Sequence, residues 1–354
     1  MICGLLAFSA RAMGRAFPGD MLALGTPDAA GRFNLLVIDL QHHFQVSFED
    51  VAGSVEWNQE GELAFAAGSP GDLEEVYVWD GAVLRNISQS SNVIDLDPVW
   101  SADGRLAFEA LSVGNSDVYV WDGLSLINVS QSTSQDFDPA WSPDGRLAFS
   151  STREGDPDLY VWDGTALTNL TQSADAEDRN PAWSVDGRLA FISIGSSNQD
   201  VYVWDGTSLA HIAQVVGNID GRLVWSSDGR LAFAASSVGN FNYEIYVWDR
   251  VALANISQDA QSDTNPSWSV DGRLAFLSWR DGNSEIYLWD GTALTNVSQN
   301  PARDDTPVWS TDGRLLFVSE RDGDAEIYLW DGATVMNVSN TPESDEFYAE
   351  LWTR

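Results

Sequence analysis

Lysine is absent from this chain. All 18 of its basic residues are arginine, set against 53 aspartates and glutamates, for a formal net charge of −35. Such a surface repels nucleic acid and anionic membranes, so neither is expected as a ligand, and cations or basic peptides are favoured. A general role in solubility, or adaptation to a salty or calcium-rich exterior, accounts for the same charge with no specific partner. Cysteine is reduced to Cys3, which excludes a disulfide framework and a thiol-based site and leaves the compartment open. There are three histidines, His42, His43 and His211, and no Gly-x-Ser-x-Gly elbow, so a serine triad has nowhere to sit. His42-His43 reads as a surface pair on an outermost strand ahead of a metal pair.

Long apolar runs are also missing. Residues 1–20 hold only Ile2 to Ser9, followed by Arg11 and Arg15 instead of preceded by them, which is neither a membrane span nor a regular signal peptide. Two readings stay open for 1–20: a disordered tail, or the remnant of a signal or lipoprotein segment.

What is present is a repeat. Tryptophan recurs at 57, 100, 141, 183, 225, 268, 309 and 352, in steps of 41 to 43 residues. That period indicates a propeller blade. Within each unit four short strands are expected: one ending at the tryptophan, then Arg-Leu-Ala-Phe, then Ile/Val-Tyr-Val-Trp, then Leu-x-Asn-Val-Ser. Asp-Gly pairs such as Asp103-Gly104 and Asp122-Gly123 mark the first and third hairpins. Because Tyr-Val-Trp is apolar at successive positions, both faces of the third strand are expected to be buried between neighbouring blades.

The two ends set the blade count. Asn34 to Asp39 and Phe44 to Ser47 align without a gap on Glu326 to Asp331 and Met336 to Ser339, and Met21 to Leu24 stands where Arg-Leu-Ala-Phe belongs. The first blade therefore lacks its tryptophan strand, and Tyr348 to Trp352 supplies one at the other end. The expectation is an all-β, eight-bladed β-propeller of four-stranded antiparallel blades over residues 21–354, its ring closed by the C-terminal strand joining the N-terminal blade.

The motifs Pro-x-Trp-Ser-x-Asp-Gly-Arg, Ser-x-Arg-x-Gly-x-x-Glu-Ile-Tyr (278–287 and 319–328) and Leu-x-Asn-Val-Ser closely resemble the TolB-like, WD40-like (PD40-type) propeller repeat over about residues 21 to 352. The resemblance implies an extracytoplasmic bacterial setting. On function it is broad, because the family includes the propeller of the Tol-Pal system, the propellers that gate prolyl-oligopeptidase-type peptidases, and stand-alone binding proteins. The peptidase half of such a protein is absent here. The run Ser-x-Asp-Gly-Arg-Leu-x-Phe is superficially similar to the Asp box of sialidases, but its glycine sits one position early and no arginine cluster accompanies it.

Three sets of residues are candidates for chemistry. Asp322, Asp324 and Glu326 place oxygen ligands at i, i+2 and i+4, as do the loops starting at Asp281 and Glu154, a spacing suited to calcium. The structural alternative pairs Arg153, Arg280 or Arg321 with the acid before the third strand. Five residues before the tryptophan stand Asp95, Asp136, Asp178, Asp220, Asp263 and Asp304, which would ring one mouth of the channel and repel one another unless a cation joins them. The alternative there is that each caps its own turn. Departures from the repeat form the third set: Arg222, Phe241, Tyr243 and Trp279. The recurring Asn-x-Ser/Thr sequons at Asn86, Asn128, Asn169, Asn255, Asn296 and Asn337 read as strand consensus.

Because strands alternate in direction, the Asp-Gly turns share one face, and the acidic ring shares the other with the variable loops. The expected protein is a monomeric, non-enzymatic binding propeller with no cofactor beyond candidate calcium. It would recognise a protein, peptide or cationic ligand on the acidic mouth, with Arg222, Phe241, Tyr243 and Trp279 supplying specificity. The competing readings are a metal-dependent lyase or hydrolase, which would need a histidine-rich centre, and a purely structural repeat module.

Overall fold

In a computed structural model, residues 21–352 are described apart from 28–32, 40–44, 69–71, 91, 174, 216, 237–241, 340–345 and 347. The tail 1–20, His42, His43 and Phe241 lie outside the described residues. The strands assemble into eight four-stranded antiparallel sheets, each a blade whose strands run in chain order from the innermost outward, and no helix occurs among the described residues.

Blade 1 is the composite one. Its strands Met21–Pro27, Phe33–Asp39 and Gln45–Phe48 are completed on the inner side by Tyr348–Trp352, which pairs antiparallel with Met21 to Gly25. The ring is thereby closed from the opposite end of the chain. Blade 7 is typical of the others, with strands Asp263–Trp268, Leu274–Ser278, Glu285–Trp289 and Leu294–Asn296.

Burial shows how the repeat earns its consensus. The second strand is covered on both faces in Leu63–Ala67, Leu147–Ser151, Leu274–Ser278 and Leu315–Ser319, which are buried throughout, and the third strand is buried at all but its final tryptophan in blades 4, 7 and 8, as expected. The third strand alternates buried and half-buried in blades 2, 3, 5 and 6. In those blades its tyrosine lies partly at the rim, where a phenol keeps a polar edge near water, whereas Tyr160, Tyr287 and Tyr328 of blades 4, 7 and 8 are buried. Each second-strand Phe stacks on the third-strand Tyr of its own blade, for example Phe276 on Tyr287 at 6.1 Å. The same Phe packs against the preceding blade, so that Ala232, Ala234, Ile245 and Val247 of blade 6 enclose Leu274 and Phe276 of blade 7.

Polar contacts tie blade to blade as well. The marker tryptophan donates its indole N–H to the carbonyl one residue before the preceding marker, as in Trp141 to Val99 (3.2 Å), Trp225 to Ala182 (2.9 Å) and Trp309 to Ser267 (3.0 Å). The arginine of Asp-Gly-Arg reaches forward: Arg105 lies 4.4 Å over the Trp141 ring and donates to the Gly145 carbonyl at 2.9 Å, and Arg230 does the same to Trp268 and Gly272. A planar guanidinium stacks and donates at once, which an ammonium does poorly. That is a physical reason for arginine at these repeat positions.

The first hairpin is not the two-residue turn with two left-handed residues. Only the glycine has positive φ (Gly104, 84°), the Gly104 N–H donates to the Ser101 carbonyl, and the Ser101 N–H donates to the Arg105 carbonyl. The Ser101 hydroxyl donates to Asp103 (2.5 Å) and accepts from the Arg105 N–H, so serine and aspartate both brace the turn. At the third hairpin of blade 6 the glycine is replaced by Arg250, held at φ 80°, whose side chain crosses to the Asp228 carbonyl and to Asp186 of blade 5.

Candidate functional site

The first strands of blades 3, 4, 5, 7 and 8 carry a left-handed bulge that sets the lining of the channel. Three residues before the tryptophan, Asp97, Asp138, Asn180, Asn265 and Thr306 adopt φ between 50° and 57°, and the pairing with the second strand slips there. Asparagine and aspartate tolerate that conformation best, which accounts for the Asp/Asn-Pro consensus. These residues touch around the ring: the Ser54 hydroxyl reaches Asp97 at 3.4 Å, and the Asn180 N–H donates to Asp138 at 3.3 Å.

The six aspartates five residues before the tryptophan are arranged differently from an open ring. Asp95, Asp136, Asp178, Asp263 and Asp304 are buried, and only Asp220 is exposed. Asp136, Asp263 and Asp304 are ion-paired to Arg153 (2.9 Å), Arg280 (3.1 Å) and Arg321 (3.3 Å) from the loop between the second and third strands of the same blade. Those arginines therefore pair with the first strand and not with the acid before the third strand. They lie over the blade's tyrosine as well, Arg280 at 4.6 Å from Tyr287. Asp95 accepts from the Ser90 hydroxyl at 2.6 Å. Burial raises the carboxyls of Asp95 and Asp178, and serine hydroxyls bonded to each oppose the shift. The aspartates thus accept from arginine and serine side chains, where turn capping by backbone N–H groups was the expected alternative.

The calcium-type triplets do not converge. Asp322 accepts from the Tyr328 hydroxyl and the Asn337 amide, whereas Glu326 is buried and accepts from the Ser339 hydroxyl. Among the described residues no group of three or more His, Cys, Asp or Glu is arranged to hold a metal ion. The sequon asparagines have a structural task too: Asn296 accepts the N–H of Gln299, which sits at φ 43°, and donates to Asp281 at 2.9 Å. His211 takes that asparagine position in blade 5, bonding Asp200 at 2.9 Å and stacking on Tyr202 on the outer strands, far from the channel lining.

Of the third set, the structure brings two residues together. The Tyr243 N–H donates to the Ser262 hydroxyl (3.2 Å) and the Trp279 N–H to the Ser262 carbonyl (3.1 Å), so the start of the third strand of blade 6 and the loop of blade 7 meet at the crossover between them. Tyr243 is half-buried against that interface, and Trp279 is 41% exposed where blades 4 and 8 have Thr152 and Glu320. Arg222 lies apart from them in the channel wall. With Asp138, Asn180 and Leu223 it lines a cavity of about 210 Å³ formed by the inner strands of blades 4, 5 and 6.

Sequence reading missed Glu56 and Glu109, each the one acid at its repeat position. Glu56 accepts the Trp100 N–H at 2.7 Å and Glu109 the Asp138 N–H at 2.6 Å, each across a blade interface. Burial pushes both carboxyls up to about 7, and Asp138 and Asp97 add to the effect on Glu109. Their folded-state values lie above the unfolded ones, so the native chain holds protons that the unfolded chain lacks between roughly pH 4.5 and 7. Their contribution to stability is therefore fully present below that window and lost as pH rises through it. Glu109→Gln is expected to stabilise at pH 8, by on the order of 1–3 kcal/mol, and to change little near pH 4.5. Urea unfolding of both proteins at the two pH values checks it, and a gain confined to low pH would refute it.

The TolB beta propeller domain model matches residues 72–229. No curated protein matches the chain. Among solved structures it is similar to the β-propeller domain of the Trilobed protease from Pyrococcus furiosus, at 15% identity and TM-score 0.56 over 83% of this chain and 99% of that one. It is also similar to Pyrococcus horikoshii acylaminoacyl peptidase, at 15% identity and TM-score 0.55 over 90% of this chain and 50% of that one. A Mycobacterium tuberculosis puromycin-hydrolyzing peptidase matches at 14% identity and TM-score 0.57 over 83% and 54%. The chain thus spans about half the length of these two peptidases, and at such identities the likeness is one of fold. Residues 72–229 thus match the TolB-type propeller repeat, and they lie within an eight-bladed β-propeller in which the same repeat continues on either side.

Proposed function

We propose that this propeller is a non-enzymatic recognition module that binds a protein or peptide partner on the face where the channel mouth and the loops between second and third strands open. The observation that carries the reading is the convergence of Tyr243 and Trp279 on Ser262, which leaves an indole 41% exposed at a repeat position that holds a tryptophan in no other blade, Thr152 and Glu320 standing there in blades 4 and 8. Tryptophan is among the side-chain types that most often dominate a protein interface. The net charge of −35 favours a partner with basic character, and the family resemblance accords with an extracytoplasmic setting. The buried aspartates hold this face in shape, and Asp220, exposed beside Arg222, is the member of that set available to a ligand.

Selection of a displayed random-peptide library on the purified chain tests the proposal. Enriched peptides are expected to lose at least ~10-fold in affinity on Trp279→Ala, in line with an aromatic hot spot, with little change in melting temperature because the side chain is exposed. No enrichment, or peptides indifferent to Trp279 and Tyr243, would overturn it.

A further inference from the structure

Blade 6 enters the channel by a different path from its neighbours. The left-handed residue is Gly221 (φ 65°), one position earlier than in blades 3, 4, 5, 7 and 8, and Leu223 replaces the proline that follows the bulge in those blades. The Arg222 N–H donates to the Asp220 carbonyl at 2.7 Å, closing a tight turn, and the inner strand that follows is only Val224–Trp225. The shift leaves Arg222 exposed in the channel wall.

Its charge is unusual in this chain. Each of the other described arginines makes an ion pair, whether with its own turn aspartate, with a buried strand aspartate, with an acid two residues along the chain or across a blade. Arg222 makes none among the described residues; the neighbouring Asp220 carboxyl feels its charge without a direct contact. In a chain with 53 acids and 18 arginines, a guanidinium without a direct ion-pair partner, facing a cavity, is suited to an incoming anion.

The rest of the cavity restricts that anion. Beside Arg222 the polar lining is supplied by Asp138 and Asn180 from the two preceding blades, themselves bonded at 3.3 Å, with Pro139, Pro181 and Leu223 as apolar lining. Behind Asp138 stand Glu109, bonded to its N–H, and Asp97. A simple anion is repelled by these carboxylates and a simple cation by Arg222. The lining suits a group that carries a carboxylate and an N–H donor close together. At about 210 Å³ the space is below the roughly 300–1,000 Å³ of sites for drug-sized ligands, and it fits one residue.

We propose that this cavity binds the carboxylate end of an amino-acid residue, with Arg222 holding the carboxylate in a forked pair and Asp138 and Asn180 receiving the adjoining N–H and carbonyl. The inference deepens the reading of this face as a peptide-binding one and names the part of the peptide that enters the channel. The same chemistry belongs to a free amino acid and to the C-terminal residue of a chain.

Calorimetric titration of the full chain with N-acetyl-alanyl-alanine, its C-terminal amide and free alanine separates the cases. The acid is expected to bind at least ~10-fold more tightly than the amide, Arg222→Gln to remove that preference, and Arg222→Lys to restore part of it, since lysine keeps the charge without the fork. Alanine binding as tightly as the acetylated dipeptide supports the cavity as an amino-acid site; weaker alanine supports capture of a chain terminus. Equal binding of acid and amide, no heat with any probe, or an unchanged preference in the correctly folded Arg222→Gln protein would overturn the proposal. Library peptides that depend on Trp279 but bind equally well as C-terminal amides would overturn it while leaving the peptide-binding role of the face intact.

Discussion

Deleting residues 347–354 is expected to convert a stable ring into a chain that aggregates on purification or unfolds without cooperativity. The strand Tyr348–Trp352 is the inner strand of blade 1, and its ladder with Met21 to Gly25 joins the two ends of the chain. Met21, Leu22, Ala23 and Leu24 are fully buried, and Leu22 and Leu24 belong to the cluster shared with Leu316, Ile327 and Leu329 of blade 8. Without the strand, that segment becomes a bare apolar edge, the kind that pairs with other chains. The loss combines a five-residue ladder with re-exposed core, several kcal/mol against a total stability of roughly 5–15 kcal/mol. Light scattering and thermal melting of the truncated chain provide the measurement, and a synthetic peptide of residues 346–354 added in trans should recover the folded signal. A monomeric truncated chain with an unchanged melting temperature would show that the ring does not depend on this closure.

Arg280→Ala should be among the most damaging single substitutions, costing about 3–5 kcal/mol. Asp263 has no exposed surface, and its two oxygens take Arg280 at 3.2 and 3.1 Å. Removing the guanidinium leaves a buried carboxylate whose remaining choices are to stay charged without a counter-ion or to take up a proton, and it also strips the cation from the Tyr287 ring. At roughly 2 °C per kcal/mol for a domain of this size, the melting temperature should fall by about 6–10 °C. Arg303→Ala is the internal control: its pair with Asp305 is 57% exposed on the arginine side, and its loss should cost under about 1 kcal/mol. Replacing Arg280 and Asp263 together by Met and Leu should recover much of the deficit, because neither charge then remains uncompensated. If Arg280→Ala and Arg303→Ala cost the same, the buried pair does not have the role given to it.

Blade number, the order of strands and the closure from the far end were legible in the sequence because each rests on local pattern: a tryptophan every 41 to 43 residues, turn glycines at fixed offsets, and a first unit missing the strand that the last residues contain. Propeller blades contact mainly their neighbours, so a repeat read once is read eight times. The burial of the strands was less legible. Apolar runs predict an inside and cannot say how complete it is, and it took the stacking of blades to cover the third strand in blades 4, 7 and 8 and leave it half-buried at alternate positions in blades 3, 5 and 6.

The candidate site divides the same way. From spacing alone, Asp136, Asp263 and Asp304 are a row of acids at one level, and whether they form an open cation ring or a set of closed ion pairs depends on Arg153, Arg280 and Arg321, seventeen residues away and brought back by a hairpin. Sequence marked Arg222 as a departure from the repeat. That it has no ion-pair partner among the described residues is a property of the assembled ring, in which residues of three blades must come together before there is a cavity for it to face. The chain thus determined by itself which residues repeat and which do not, because hydrophobic period and turn chemistry act over a few residues. Only the tertiary structure decided which charges are cancelled, because that depends on distances between side chains that the sequence separates.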